Sequence, residues 1–152
     1  MKTLIKLFLL IAIAALPQAC VHNDGNIGDW FGTWRLESIK INGTPDAGYN
    51  QYIIWKFQSD MVLMVEADDV LHEKDEHFGT WRQDGDILEL NYSYNNDGSA
   101  VQAPTYTPPA STHLPAGISV LSIIKLSKGE IQLLYTSPET GDEYFYTLKK
   151  WG

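Results

Sequence analysis

From Gly32 to Trp151 almost every segment of this chain alternates apolar and polar residues with a period of two and ends at a turn signal. No other feature of the sequence restricts the fold as much. A side chain that changes face at every residue belongs to a strand with one buried face, not to a helix. Eight strands follow: Gly32 to Ile41, Gln51 to Phe57, Met61 to Ala67, Glu76 to Gln83, Ile87 to Tyr94, Ile118 to Leu126, Glu130 to Thr136 and Tyr144 to Trp151. In the first, Trp34 and Leu36 share one face while Ile39 and Ile41 lie on the other, which predicts a bulge near Glu37. Most connections are short, as at Asp84-Gly85-Asp86 and Ser127-Lys128-Gly129, so sequential strands must pair antiparallel. Closure removes the exposed edges of such a sheet. The expected fold class is therefore all-β, an eight-stranded antiparallel up-and-down β-barrel.

One connection breaks the pattern. Residues 95–117 hold Pro104, Pro108, Pro109 and Pro115, which forbid a central strand. A loop this long in a compact domain is usually functional or mobile, and it can serve as a lid over the barrel or as a surface for a partner.

The N-terminus follows different rules. Lys2 and Lys6 precede an apolar run from Leu7 to Leu16, too short to span a bilayer and typical of a secretory signal peptide. We expect residues 1–19 to be that signal. Cleavage after Ala19 would make Cys20, the sole cysteine, the first mature residue. Leu16-Pro17-Gln18-Ala19-Cys20 resembles a bacterial lipobox, which implies lipidation of Cys20 and a membrane anchor. Val21 stands where an Asp would favour the inner membrane in the resembling lipoproteins, so the outer membrane is the expected address. A lone cysteine leaves no intramolecular disulfide. The polar stretch 20–29 reads as a tether, and residues 30–152 as the barrel domain.

Without Lys2 and Lys6 the 11 basic residues fall to nine against 19 acidic, a formal charge of −10. Such a surface repels phosphate backbones, and nucleic acid is excluded as a partner.

The pentapeptide Phe-Gly-Thr-Trp-Arg occurs twice, at 31–35 and 78–82. Glycine before tryptophan lets a strand bend and leaves room for a neighbouring ring, so packing rather than duplication is the expected reason. Gly32-x-Trp34 at the start of the first strand resembles the lipocalin signature. Together with WKFQSDMVLMVE, GTWRQDGDILELNYS and EIQLLYTSPETGDEYFYTLKKW, it resembles the lipocalin-like lipoproteins of Gram-negative bacteria. That resemblance implies that Trp34 packs across the closed end of the barrel beneath a basic residue, Lys149 or Lys150.

Strand parity places Ile53, Trp55 and Phe57 on one face, Leu88, Leu90, Tyr92 and Tyr94 on another, and Ile131, Leu133 and Tyr135 on a third. If these faces point inward, Trp34, Trp55, Phe57, Trp81, Leu90, Tyr92, Leu133 and Tyr135 are the candidate ligand-binding residues. An eight-stranded barrel can either fill its interior or hold one small ligand. Two functions remain open: a carrier of a small apolar or amphipathic ligand with the long loop as lid, or a packed barrel presenting Tyr106 and the loop prolines to an envelope protein.

The acidic run from Asp68 to His77 gathers carboxylates and two histidines, but His72 and His77 at a spacing of five fall on opposite faces of a strand. A solvated acidic turn is expected there, not a metal site. No Gly-x-Ser-x-Gly is present and Cys20 is assigned to lipid, so no catalytic residue and no cofactor are expected.

Overall fold

The computed structural model describes residues 27–50, 52–67, 73–93 and 104–152. The expected signal peptide, Cys20 and most of the tether lie outside them, as do residues 68–72 and 94–103, including Tyr94 and His72. A single 3-10 turn, Gly28–Trp30, leads into β1 (Gly32–Ile41). The strands β2 (Thr44–Pro45), β3 (Ile53–Gln58), β4 (Met61–Ala67), β5 (Glu73–Asp84), β6 (Ile87–Tyr92), β7 (Gly117–Leu126), β8 (Glu130–Thr136) and β9 (Glu143–Lys150) follow. All pair antiparallel in sequence order, and β9 returns to β1 with Trp34 opposite Lys150 and Ile41 opposite Tyr144. The eight long strands therefore close into a barrel. Only the two-residue β2 lies outside its round.

Closure depends on how β1 divides its edge. Its first half pairs with β3 and its last residues with β2, so the two neighbours part beyond Arg35. Tyr49 spans the gap: its hydroxyl donates to the Leu36 carbonyl at 2.6 Å and accepts from the Ile53 amide at 3.4 Å. Against β9, Glu37 is the extra residue between the pairs Leu36 with Leu148 and Ser38 with Thr147, the bulge the parity change predicts. It lets Trp34, Leu36 and Ile39 all bury their side chains. A second bulge at Ile124 of β7 turns that side chain outward.

Elsewhere the structure departs from the sequence-based expectation. Ile27 is buried and Gly28–Trp30 is a turn, so the folded body begins before residue 30. β5 starts at Glu73 because Asp75 and Glu76 pair with Glu66 and Val65 of β4. The acidic run is strand there rather than turn, and His77 is buried rather than solvated. The prolines keep residues 104–116 out of the sheet, yet this part of the loop is ordered into two 3-10 turns, Pro104–Tyr106 and Ala110–Thr112.

The two glycines of the repeated pentapeptide solve different problems. Gly32, at φ +120°, lies under Lys150, and a Cβ there would run into its ammonium group. At Gly79 a Cβ would sit 2.9 Å from the Asn91 carbonyl oxygen and 3.0 Å from two Tyr92 ring carbons, so this glycine makes room for a ring of the neighbouring strand. The backbone contact cannot yield, and overpacking of this kind costs about 1–3 kcal/mol. Gly79→Ala should lose about that much in urea unfolding, whereas Gly48→Ala, whose nearest neighbour is a surface Asp46 oxygen at 3.3 Å, should lose less.

Candidate functional site: the barrel interior and its lid

The closed end of the barrel is sealed by aromatic rings. Trp30, carried in by the 3-10 turn, lies 4.8 Å from Phe57 and 5.4 Å from Trp81, and Phe57 meets Trp81 edge-on at 5.2 Å. Its indole N–H donates to Gln83 Oε1 at 2.7 Å, and the Trp34 indole N–H donates to the Trp30 carbonyl at 2.9 Å. Lys150 stands over the Trp34 ring with its ammonium 4.5 Å from the centroid and also donates to the Phe31 carbonyl. Of the two lysines in question, Lys150 is therefore the basic partner. Lys149 pairs with Glu130 instead.

Above this seal the interior is apolar. Trp55 reaches between Phe57 and Tyr146, both 6.2 Å away, with Leu90, Leu121, Leu133 and Leu148 also buried in the same core. Among the described residues the buried side-chain atoms without a hydrogen-bond partner are Trp55 Nε1, Trp81 Nε1, the Tyr92 hydroxyl and Ser111 Oγ. The first three belong to inward-facing side chains no more than 4% exposed. Burial alone pushes the Tyr92 phenol well above the ordinary tyrosine range, so it stays a neutral hydroxyl.

The other end is covered by the loop. His77, on the inward face of β5, donates from Nδ1 to the Thr107 carbonyl at 2.6 Å and places Nε2 3.3 Å from Glu66. The Tyr146 hydroxyl donates to the Thr112 carbonyl at 2.8 Å. His113, at φ 60°, stacks on Tyr144 at 5.3 Å and puts Nε2 2.8 Å from Asp46 Oδ2. Pro108, Pro109, Thr112 and Leu114 are buried, and Leu114 joins the core cluster. The lid thus hangs on polar contacts to β5, β9 and the loop after β2. One of them is pH-sensitive in a known direction. The hydrogen bond from His113, backed by the Gly48 amide, holds the Asp46 carboxyl below its usual range. A depressed carboxylate stabilises above its unfolded pKa, and that contribution is lost as pH falls through the folded value. The lid should therefore stay latched at neutral pH and loosen below about pH 4, seen as faster amide exchange at residues 110–114, and Asp46→Asn should abolish that acid step.

All eight candidate residues, Trp34, Trp55, Phe57, Trp81, Leu90, Tyr92, Leu133 and Tyr135, fall in one core cluster. They occupy different levels: Trp34, Phe57 and Trp81 build the seal, Trp55, Leu90 and Leu133 the middle, and Tyr135 stacks 6.0 Å from Tyr144 toward the mouth. Sequence reasoning missed Trp30, Tyr146 and His77. Strand parity could have found two of them, since Tyr146 alternates with Tyr144 and Leu148, and His77 with Gly79 and Trp81. Nothing local marks Trp30, whose burial depends on the barrel end being open to receive it. Among the described residues no three His, Cys, Asp or Glu side chains gather as metal ligands.

The comparisons agree with this geometry. The lipocalin-like domain family matches residues 12–135. A lipocalin-like protein from Bacteroides uniformis superposes with a TM-score of 0.58 at 18% identity, over 82% of this chain and 100% of that one. An uncharacterized protein from Bacteroides eggerthii gives 0.61 at 17% identity, over 80% and 99%. At these identities the likeness speaks for the fold alone. No curated protein matches the chain. With its strands closed from β9 onto β1 and most of its length matched by the family, the chain belongs to the lipocalin-like domain family.

Proposed function

We propose that this barrel carries a small apolar or amphipathic molecule beneath the lid formed by residues 104–116, and that Cys20 anchors it by lipid to the cell envelope, at the outer membrane. The observation that carries the ligand reading is the set of unpartnered polar atoms inside the barrel, Trp55 Nε1 and the Tyr92 hydroxyl above all. Leaving such a group buried and unsatisfied costs about 1–3 kcal/mol. A ligand that supplied the missing partner would recover it. The lid supports the reading, because it covers the mouth from outside the sheet, held by hydrogen bonds from His77 and Tyr146 and by the buried Leu114, and can lift without breaking a strand pairing. Lipocalin-like barrels typically bind rather than catalyse, and we read this one as non-catalytic.

Titration of tryptophan fluorescence with fatty acids and other apolar probes tests the carrier. Saturable quenching is expected, and silence across the panel would remove the proposal. The anchor is tested separately by labelled palmitate, which should enter the wild-type protein and not Cys20→Ala. Incorporation into neither would refute lipidation.

A packed barrel that docks an envelope protein is the second reading. The loop does not favour it, since Pro108 and Pro109 are buried and Tyr106 is partly covered. What favours it is the outer face of β7, where Ile118, Val120 and Ile124 are 57%, 52% and 52% exposed beside Ile87 of β6. In pull-downs from envelope extracts a partner held there would be lost with Val120→Asp and kept with Tyr106→Ala.

A further inference from the structure

We infer that the barrel selects a neutral amphiphile whose polar group is a hydrogen-bond acceptor, such as a ketone, ester or ether oxygen, and discriminates against a carboxylate. This rests on the carrier reading above and narrows it. Three of the unpartnered buried atoms, Trp55 Nε1, Trp81 Nε1 and the Tyr92 hydroxyl, belong to inward-facing side chains. An indole N–H can donate and never accept, and a buried phenol lacking an acceptor has the same need. The interior therefore offers donors and asks for an oxygen lone pair.

The surrounding charges decide what kind of oxygen. A carboxylate moved into an apolar interior needs a cation beside it, or it pays heavily for lost solvation. The candidate cations are engaged elsewhere. Lys150 is held at the sealed end by the Trp34 ring and the Phe31 carbonyl, and His77 lies between the Thr107 carbonyl and Glu66. The mouth is lined by carboxylates, with Asp46 under His113, Glu66 beside His77 and Asp142 on Asn42. A fatty acid would meet like charge on entry and, among the described residues, find no free counter-charge inside. A neutral carbonyl meets neither obstacle and satisfies a donor on arrival.

The test uses three probes of equal chain length against the full chain at pH 7: methyl decyl ketone, lauric acid and dodecane, followed by tryptophan fluorescence and calorimetry. The ketone is expected to bind about fivefold more tightly than dodecane for each donor engaged, as one neutral hydrogen bond allows. Lauric acid is expected to bind more weakly than the ketone, and to gain when the pH is lowered toward its own pKa. Trp55→Phe and Tyr92→Phe should together cut the ketone's advantage over dodecane to no more than the single donor of Trp81 can supply, about fivefold. An unchanged urea midpoint serves as the control for an intact barrel, and the ketone is compared with dodecane on the same variant. Lauric acid binding as well as the ketone at pH 7, or a ketone advantage left undiminished by both substitutions, would overturn the selectivity while leaving the carrier reading in place. Failure of all three probes would overturn both.

Discussion

Trp34→Ala is expected to destabilise the barrel by about 3–5 kcal/mol, measured as a lower urea midpoint with an unchanged slope. Trp34 is fully buried, so the substitution leaves a void the size of an indole at the sealed end. Two further attachments go with it. The indole N–H no longer holds the Trp30 carbonyl, and the Lys150 ammonium loses the ring beneath it. Lys150→Met separates the contributions, because it removes the cation and leaves the ring. A half-exposed cation–aromatic contact is worth about 0.5–1 kcal/mol, so this variant should lose far less.

Trp81→Ala should cost a similar amount, about 3–5 kcal/mol, although Trp81 sits on β5, far from β1 in sequence. Both tryptophans of the repeated pentapeptide serve Trp30: Trp34 by its hydrogen bond to the Trp30 carbonyl, Trp81 by ring contact at 5.4 Å. Once either is gone the seal is already loosened. The double variant should therefore lose less than the sum of the two, since residues sharing a partner are not additive. Full additivity in equilibrium unfolding would show that the repeated motif does not converge on one structure.

This convergence marks the limit of what the sequence discloses. β1, β4 and β8 run over the residues that alternation assigns to them, and the bulge at Glu37 is visible as a change of parity between Leu36 and Ile39. Alternation succeeds because each of these strands buries one face and wets the other. It fails at Glu73 to Asp75, where acidic composition reads as turn while pairing with β4 dictates strand. The inward set Trp55, Phe57, Leu90, Tyr92, Leu133 and Tyr135 is legible for the same reason of parity. Which of those side chains lack a hydrogen-bond partner is not, because satisfaction depends on atoms brought from other strands and from the lid. The prolines of the loop reveal that no strand forms there. They do not reveal that Thr112 and Leu114 are buried, nor that the Tyr146 hydroxyl on a distant strand holds the Thr112 carbonyl.

The chain has five tryptophans, and their indole N–H resonances report directly on the interior. In a two-dimensional nitrogen–proton spectrum, a bound carbonyl probe is expected to move the Trp55 indole signal downfield as its free donor finds an acceptor. The Trp34 signal, already bonded to the Trp30 carbonyl, should stay in place, as should that of Trp30, bonded to Gln83. An unmoved Trp55 signal at saturating probe, or equal shifts at Trp34 and Trp30, would contradict a ligand held within the barrel.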